Sequence, residues 1–400
     1  MTDFQLFLSG RFLSVLAAQM QWVAVGWYLY DLTGDPMTLA FAGLASFIPI
    51  AVLTLPAGDL ADRVDRRWIL GTAHLAQATG SMLLVVLTWM RTEQTWPFYA
   101  VLSLAGTARA FSAPAVQSLL PFLVTREGFP QAVAWSSSAQ QSATVLGPAV
   151  GGLIYLAGAP ASFAACSVAS LAVATCWFSI RARGGVAHTA RGGAVARLLE
   201  GLRYLRVNRV LLGAISLDLF AVLLGSITAL LPIYARDILG VGPDGLGIMR
   251  SSVAVGAVSM GLALAQLPAA RQAHAGAMLF TGVAVFGVAA LAFALSKNLF
   301  LSLGLLALMG AADMMSVFVR ASVVQLGTPD EMRGRVSAVH SLFVGTANEL
   351  GDFRAGAMAA WLGAVPAVLA GGCATLAVVG IWAWRFPELR RVARVTGIRA

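Results

Sequence analysis

Seven ionisable side chains stand inside long apolar runs of this 400-residue chain: Arg109, Asp218, Asp313, Arg320, Glu349, Asp352 and Arg354. A charge surrounded by apolar residues is expensive to keep and marks an ion or substrate path by default. Burial favours the protonated form of a carboxylic acid. A carboxylate in such a place can therefore take a proton on one side of a barrier and release it on the other. Asp313 and Asp218 are the first candidates for that work, with Glu349 next. An arginine in the same setting needs an anion, from an acid of the chain or from a ligand. Arg109 is alone in the first half, whereas the other six lie in the second. Asp313 and Arg320 are seven residues apart and share a helix face, as do Glu349 and Asp352, three apart, with Asn348 beside them. Gln19, Gln21 and Trp22 offer hydrogen bonds and a stacking surface for an aromatic substrate. A second reading stays open for each group: structural ion pairs for the acids, and packing between helices for Gln19, Gln21 and Trp22.

The elements that position these residues follow from composition. Hydrophobic residues make up 58% of the chain and charged residues 11%, with a mean hydropathy of +0.80. Soluble domains carry about 25% charged residues, so a soluble fold is excluded and lipid must be the main solvent. The net charge is +9, and Lys297 is the one lysine among 27 basic residues. The arginines sit in short segments between apolar runs, with no aromatic–basic interleaving and no phosphate loop, which sets nucleic acid aside as a partner. Cys166, Cys176 and Cys373 form no C-x-x-C, and the histidines do not cluster, so neither a metal nor a cofactor is expected. No H-x-x-x-x-D or D-x-D cluster appears, and the chain reads as not an enzyme. Its first residues, "MTDFQLFLSGRFLSVL", lack a basic leader and read as a first span rather than a removed signal peptide.

A transmembrane helix needs about 20 mostly apolar residues. Twelve such runs are expected, near 6–30, 37–57, 68–90, 96–120, 129–156, 160–181, 209–235, 245–268, 276–296, 299–323, 336–359 and 364–386. With a cytoplasmic N-terminus, 20 arginines fall in inner segments, against Arg91, Arg236 and Lys297 outside. That bias places both termini in the cytoplasm. Arg11 and Arg250, near span ends, read as snorkelling side chains, and Arg11 also as a partner for an inner latch. Trp96, Trp361, Trp382 and Trp384 read as interfacial anchors. Residues 182–208 form the longest polar stretch, within which "AVARLLEGLRYLRV" has the pattern of a short surface helix. The expected organisation is a six-helix bundle over 1–181, a cytoplasmic central loop over 182–208, a second bundle over 209–386 and a cytoplasmic tail over 387–400. At an offset of 204 residues Tyr30 matches Tyr234, Gly106 matches Gly310, Gly147 matches Gly351 and Gly152 matches Gly356. Arg109 and Asp313 are equivalent at the same offset, and such repeats flank a site near the bilayer midplane.

Two motifs carry a family resemblance. Between the second and third spans lies "GDLADRVDRR", in which Gly58, Leu60, Asp62, Arg63, Arg66 and Arg67 match the cytoplasmic loop motif of the major facilitator superfamily. Asp65 stands where that motif has glycine. Gly58 is expected to let the second span approach a neighbour. The fifth span carries "GPAVGG", where Gly147, Pro148, Gly151 and Gly152 resemble the superfamily's antiporter motif and Ala143 replaces its first glycine. "VGWYLYDLTGDPMTLAFAG", "ARAFSAPAVQSLLP" and "PDEMRGRVSAVHSLFVGTANELGDFRAG" are similar to the enterobactin-type siderophore exporters among the drug:H+ antiporters. The resemblance implies an all-α membrane protein of the major facilitator fold, with twelve transmembrane helices in two pseudosymmetric six-helix bundles. It places the first, fourth, seventh and tenth spans around a central cavity, so that Arg109 and Asp313 would face one another, and makes the "GDLADRVDRR" loop an inner latch. The implied activity is export of a siderophore or drug-like amphiphile across the bacterial inner membrane by alternating access, in exchange for protons, by a monomer. The competing expectation is uptake or facilitated transport of a metabolite or lysolipid without protons.

Overall fold

The computed structural model describes residues 2–182, 194–266 and 275–390, and among these every regular element is helical. In a bilayer no water reaches the backbone, so each segment must satisfy its own N–H and C=O groups, and helices do so. The first half holds α1 (Asp3–Thr33), α2 (Pro36–Arg63), α3 (Arg66–Trp89), α4 (Trp96–Leu119), α5 (Phe129–Tyr155) and α6 (Ala159–Ser179). The second holds α7 (Ala194–Val207), α8 (Arg209–Gly225), α9 (Pro243–Gln266), α10 (Ala275–Leu295), α11 (Leu299–Leu326), α12 (Asp330–Leu362) and α13 (Ala364–Arg385). The surface-helix pattern "AVARLLEGLRYLRV" is α7, residue for residue.

Local chemistry sets the starts of these helices. Thr2 and Gln5 form a capping box at α1, Asp35 caps α2 ahead of Pro36, and Asn208 and Asn298 cap α8 and α11. Gly34 ends α1 in the left-handed region, at φ 63°.

Nine helical runs among the described residues are long and apolar enough to cross a membrane. The long helices α4, α5 and α12 fall outside that set and are the more polar ones, with Arg109, "WSSSAQQSAT" and "NELGDFR" respectively. Large apolar side chains face outward: Phe300, Trp361 and Trp384 are more than 80% exposed, the arrangement lipid requires. Trp382 is not an anchor of that kind. Its indole N–H donates to the Ser216 hydroxyl at 3.0 Å and its ring packs on Phe220 and Phe386.

The chain divides into two compact units, Met1–Arg191 with Gly240–Ser251, and Gly192–Leu239 with Ser252–Ala400. In the first, α1 packs on α5 and α6, α2 on α4, and α3 on α4 and α6. One apolar cluster gathers around Phe7, Leu70, Leu119 and Trp177, and another around Val25, Leu29, Phe98 and Phe163. In the second unit, α8 packs on α12 and α13, and α10 on α11 and α13, around Leu211, Leu279, Val323 and Val336. Leu205 of α7 joins that core.

The internal repeat is visible in how matched glycines pack. A side chain at Gly106 would run into the Ser46 carbonyl of α2; one at Gly310 would run into the Val253 carbonyl of α9. A Cβ at Gly147 would lie 2.6 Å from the Gln19 Cβ of α1, and one at Gly351 would lie 2.8 Å from the Val222 carbonyl of α8. Tyr30 and Tyr234 are both buried. The halves therefore repeat their helix contacts as well as scattered identities.

Candidate functional site

In the first unit, Gly106 draws α4 against α2, and Arg109 follows one turn later. Its side chain is exposed and makes no hydrogen bond or ion pair among the described residues. It lines a cavity of about 40 Å³ with Gln21 and Trp22 of α1, Ser46 of α2 and Gln77 of α3. That volume admits a few atoms or waters rather than a whole drug-sized molecule. The Ser81 hydroxyl donates to Gln21 at 3.1 Å, fixing the amide on the α1–α3 side. Gln19, two residues earlier, sits against Gly147 and does not line the cavity. Trp22 and Arg109 are thus brought together, and Gln19 becomes part of the α1–α5 packing.

The "GPAVGG" stretch makes that packing possible. Gly151 would place a Cβ 2.7 Å from the Met20 backbone, and Gly152 would run into the Pro243 carbonyl. The Ser251 hydroxyl donates to the Val145 carbonyl at 2.7 Å, so segment 240–251 lies along α5 within the first unit. Small residues here allow backbone contact that any larger side chain would block. Ala143 is fully buried, so a small residue is kept where the motif has its first glycine.

The loop after α2 is tied down within its own unit. Asp65 caps α3 by accepting from the Arg67 N–H at 3.1 Å, and its carboxylate holds the Arg67 guanidinium at 2.6 Å. Arg67 also donates to the Ile180 carbonyl at 2.6 Å. Arg66 is buried, donates to the Ser118 hydroxyl at 2.9 Å and lies over the Phe122 ring. Asp65 has φ −59°, so this position needs no glycine. Arg63 is exposed; the Asp62 side chain, the central loop over 183–193, Arg271 and the tail over 391–400 lie outside the described residues. The expected role of Gly58 is corrected. A Cβ there would meet nothing within 4 Å among the described residues, because Gly58 sits on an open face of α2.

In the second unit the seventh span is broken. Helix α8 ends at Gly225, a 3-10 turn covers Thr228–Leu230 and a π turn covers Tyr234–Ile238. Charged residues of α12 hold the break. The Ser226 hydroxyl donates to Asp352, while Arg354 donates to the Leu223 carbonyl at 2.9 Å and reaches the Ser226 carbonyl at 3.5 Å. Arg354 thereby satisfies carbonyls that a helix end leaves open. The sequence reading missed this break, whose signals were "GS" at 225–226 and Pro232. Lower in the same span, Asp218 forms an ion pair with Arg320 of α11, both almost fully buried. Arg320 is therefore paired with Asp218 and not with Asp313. Asp313 is exposed, with no hydrogen bond or ion pair among the described residues. Glu349 is half-buried and partnered.

Sequence reasoning also missed a polar stripe in the first unit. Ser137, Ser138 and Gln141 form an exposed polar stripe on α5, and the Arg11 guanidinium donates to the side-chain carbonyl of the neighbouring Gln140. Spacing of three and four within "WSSSAQQSAT" was the available signal.

A profile of the transmembrane secretion effector family matches residues 2–395. The chain is 28% identical over 261 residues to macrolide efflux protein A of Streptococcus pyogenes, covering 64% of each chain. It thus spans just under two thirds of that relative. It is 22% identical over 386 residues to the enterobactin exporter EntS of Escherichia coli, covering 95% of this chain and 91% of the relative. The structure resembles the nucleoside transporter NupG with a TM-score of 0.71 at 13% identity, covering 98% of this chain and 100% of that one. With two repeated helical halves and this match along almost its whole length, the chain belongs to the transmembrane secretion effectors of the major facilitator superfamily, a family of multi-pass membrane transporters.

Proposed function

We propose that the chain is a secondary active exporter, moving a siderophore or drug-like amphiphile out across the bacterial inner membrane by alternating access in exchange for protons. The observation that carries this reading is the contrast among its acids. Asp218 is committed to Arg320 and Asp352 to Ser226, while Asp313 is exposed with no partner among the described residues. Asp313 is the proton carrier of the second unit and Arg109 the cation that the first unit offers to the substrate. The buried Asp218–Arg320 pair holds the second bundle together. Both termini lie in the cytoplasm, bundles 1–181 and 209–386 move as units about the central segment, and the working form is a monomer. The efflux function named for two relatives and the "GPAVGG" motif support outward direction.

The test compares cells lacking the gene with cells restored by the wild type or by Asp313→Asn. Iron-starved cultures are assayed for secreted and retained metabolites and for sensitivity to macrolides and dyes. Loss of the gene is expected to raise a retained compound several-fold and lower it in the medium, with wild type but not Asp313→Asn restoring secretion. A compound that falls inside the cells on deletion would identify uptake and end the export reading.

A further inference from the structure

Arg11 carries information that a snorkelling side chain would not. It is half-buried within α1, its identified partner is the neutral amide of Gln140, and its Nε–H is buried with no acceptor among the described residues. Among the described residues no carboxylate neutralises it. An arginine kept in an apolar helix opposite a neutral amide retains donors that an acidic group can accept from. Arg109 is the second such arginine in the same unit.

The two are connected along one helix face. Arg11, Ala18, Trp22 and Val25 recur at intervals of seven, four and three, a single stripe of α1. Ala18, Trp22 and Val25 of that stripe line the Arg109 cavity. Eleven residues separate Arg11 from Trp22, about 16 Å of helix. The exposed hydroxyls and amide of Ser137, Ser138 and Gln141 on α5 lie beside Gln140, at the Arg11 end.

We propose that Arg11 and Arg109 are two stations of an anion path along the first unit, and that the substrate is an aromatic or amphiphilic molecule bearing an acidic group. Arg11 receives the acidic group at the end of the unit that holds the N-terminus and the α2–α3 loop. Gln140 and the α5 stripe supply neutral hydrogen bonds there. Arg109 takes the group next, with Trp22 against the ring. The inference rests on the transport reading for its biological sense and narrows the substrate class to anions, against the cationic amphiphiles.

The test needs no proton gradient and no known substrate. Benzoate, benzamide and benzamidine share a ring and differ in charge. Their binding to the purified full-length chain is compared by saturation-transfer NMR at low and high salt. Benzoate is expected to bind several-fold tighter than benzamidine and to weaken with salt. Arg11→Gln and Arg109→Gln should each weaken benzoate about tenfold, the loss of one charge-assisted contact, while Arg11→Lys and Arg109→Lys retain most of the binding and report that the fold is intact. Benzamidine binding as well as benzoate, no benzoate binding, or glutamine variants that bind like wild type would each overturn the proposal. These outcomes are separate from the export test: a chain that exports yet prefers benzamidine sinks the anion path alone, and one that prefers benzoate yet imports sinks export alone.

Discussion

Asp218 and Asp313 look alike in sequence, two acids in apolar runs, and the structure gives them opposite surroundings. Asp218 has a buried guanidinium against it; Asp313 has none among the described residues. Removing one member of a buried pair leaves an uncompensated charge and costs about 3–5 kcal/mol, whereas replacing both with apolar residues is near neutral. Asp218→Asn or Arg320→Met should therefore lower thermal stability in detergent sharply, and the Asp218→Leu/Arg320→Met double variant should recover most of it. Equal stability of the single variants and wild type would show that the pair is not structural. Asp65 makes a second residue-scale case. Restoring the motif glycine removes the α3 cap and the Arg67 contact, so Asp65→Gly should destabilise the chain by roughly 1 kcal/mol, read as a lower melting temperature. The positions of these charges were legible in the sequence because each interrupts an apolar run. Their partners were not. Arg11 meets Gln140 across 129 residues, and such pairings depend on helix rotation and packing that no local window contains.

Among the elements, long apolar runs exposed the helices, and the surface-helix pattern at "AVARLLEGLRYLRV" gave α7 its limits. The break in the seventh span was hidden because the apolar run continues through it. What stops the helix is Ser226 at ψ 134°, followed by Pro232, with Asp352 and Arg354 brought in from α12. Glycines divide the same way. Gly147 and Gly151 are pressed against α1, while a Cβ at Gly58 meets nothing within 4 Å among the described residues. Gly151→Val should disrupt the α1–α5 contact, reduce folded protein and abolish transport, because an added side chain would have to displace backbone. Gly58→Ala should leave stability unchanged or slightly higher, helix propensity favouring alanine by up to about 1 kcal/mol. Comparing folded yield and melting temperature of the two variants checks the assignment, and a Gly58→Ala variant as damaged as Gly151→Val would contradict it.

For the whole molecule, the matched packing of Gly106 with Gly310 and of Gly147 with Gly351 turns a sparse set of identities into a structural repeat. The chemistry is not repeated. Arg109 and Asp313 occupy equivalent positions with opposite charge, so one half offers a fixed cation and the other a group able to gain and lose a proton. In the export reading proposed above, that asymmetry is what couples substrate to protons. Its most direct test is proton movement through the purified chain in liposomes. The substrate is first identified by the deletion comparison and then loaded on one side. The account predicts that its downhill efflux drives protons the opposite way, that an imposed pH gradient drives it uphill, and that Asp313→Asn loses both while retaining exchange of labelled for unlabelled substrate. Undiminished proton-coupled transport by Asp313→Asn would contradict it.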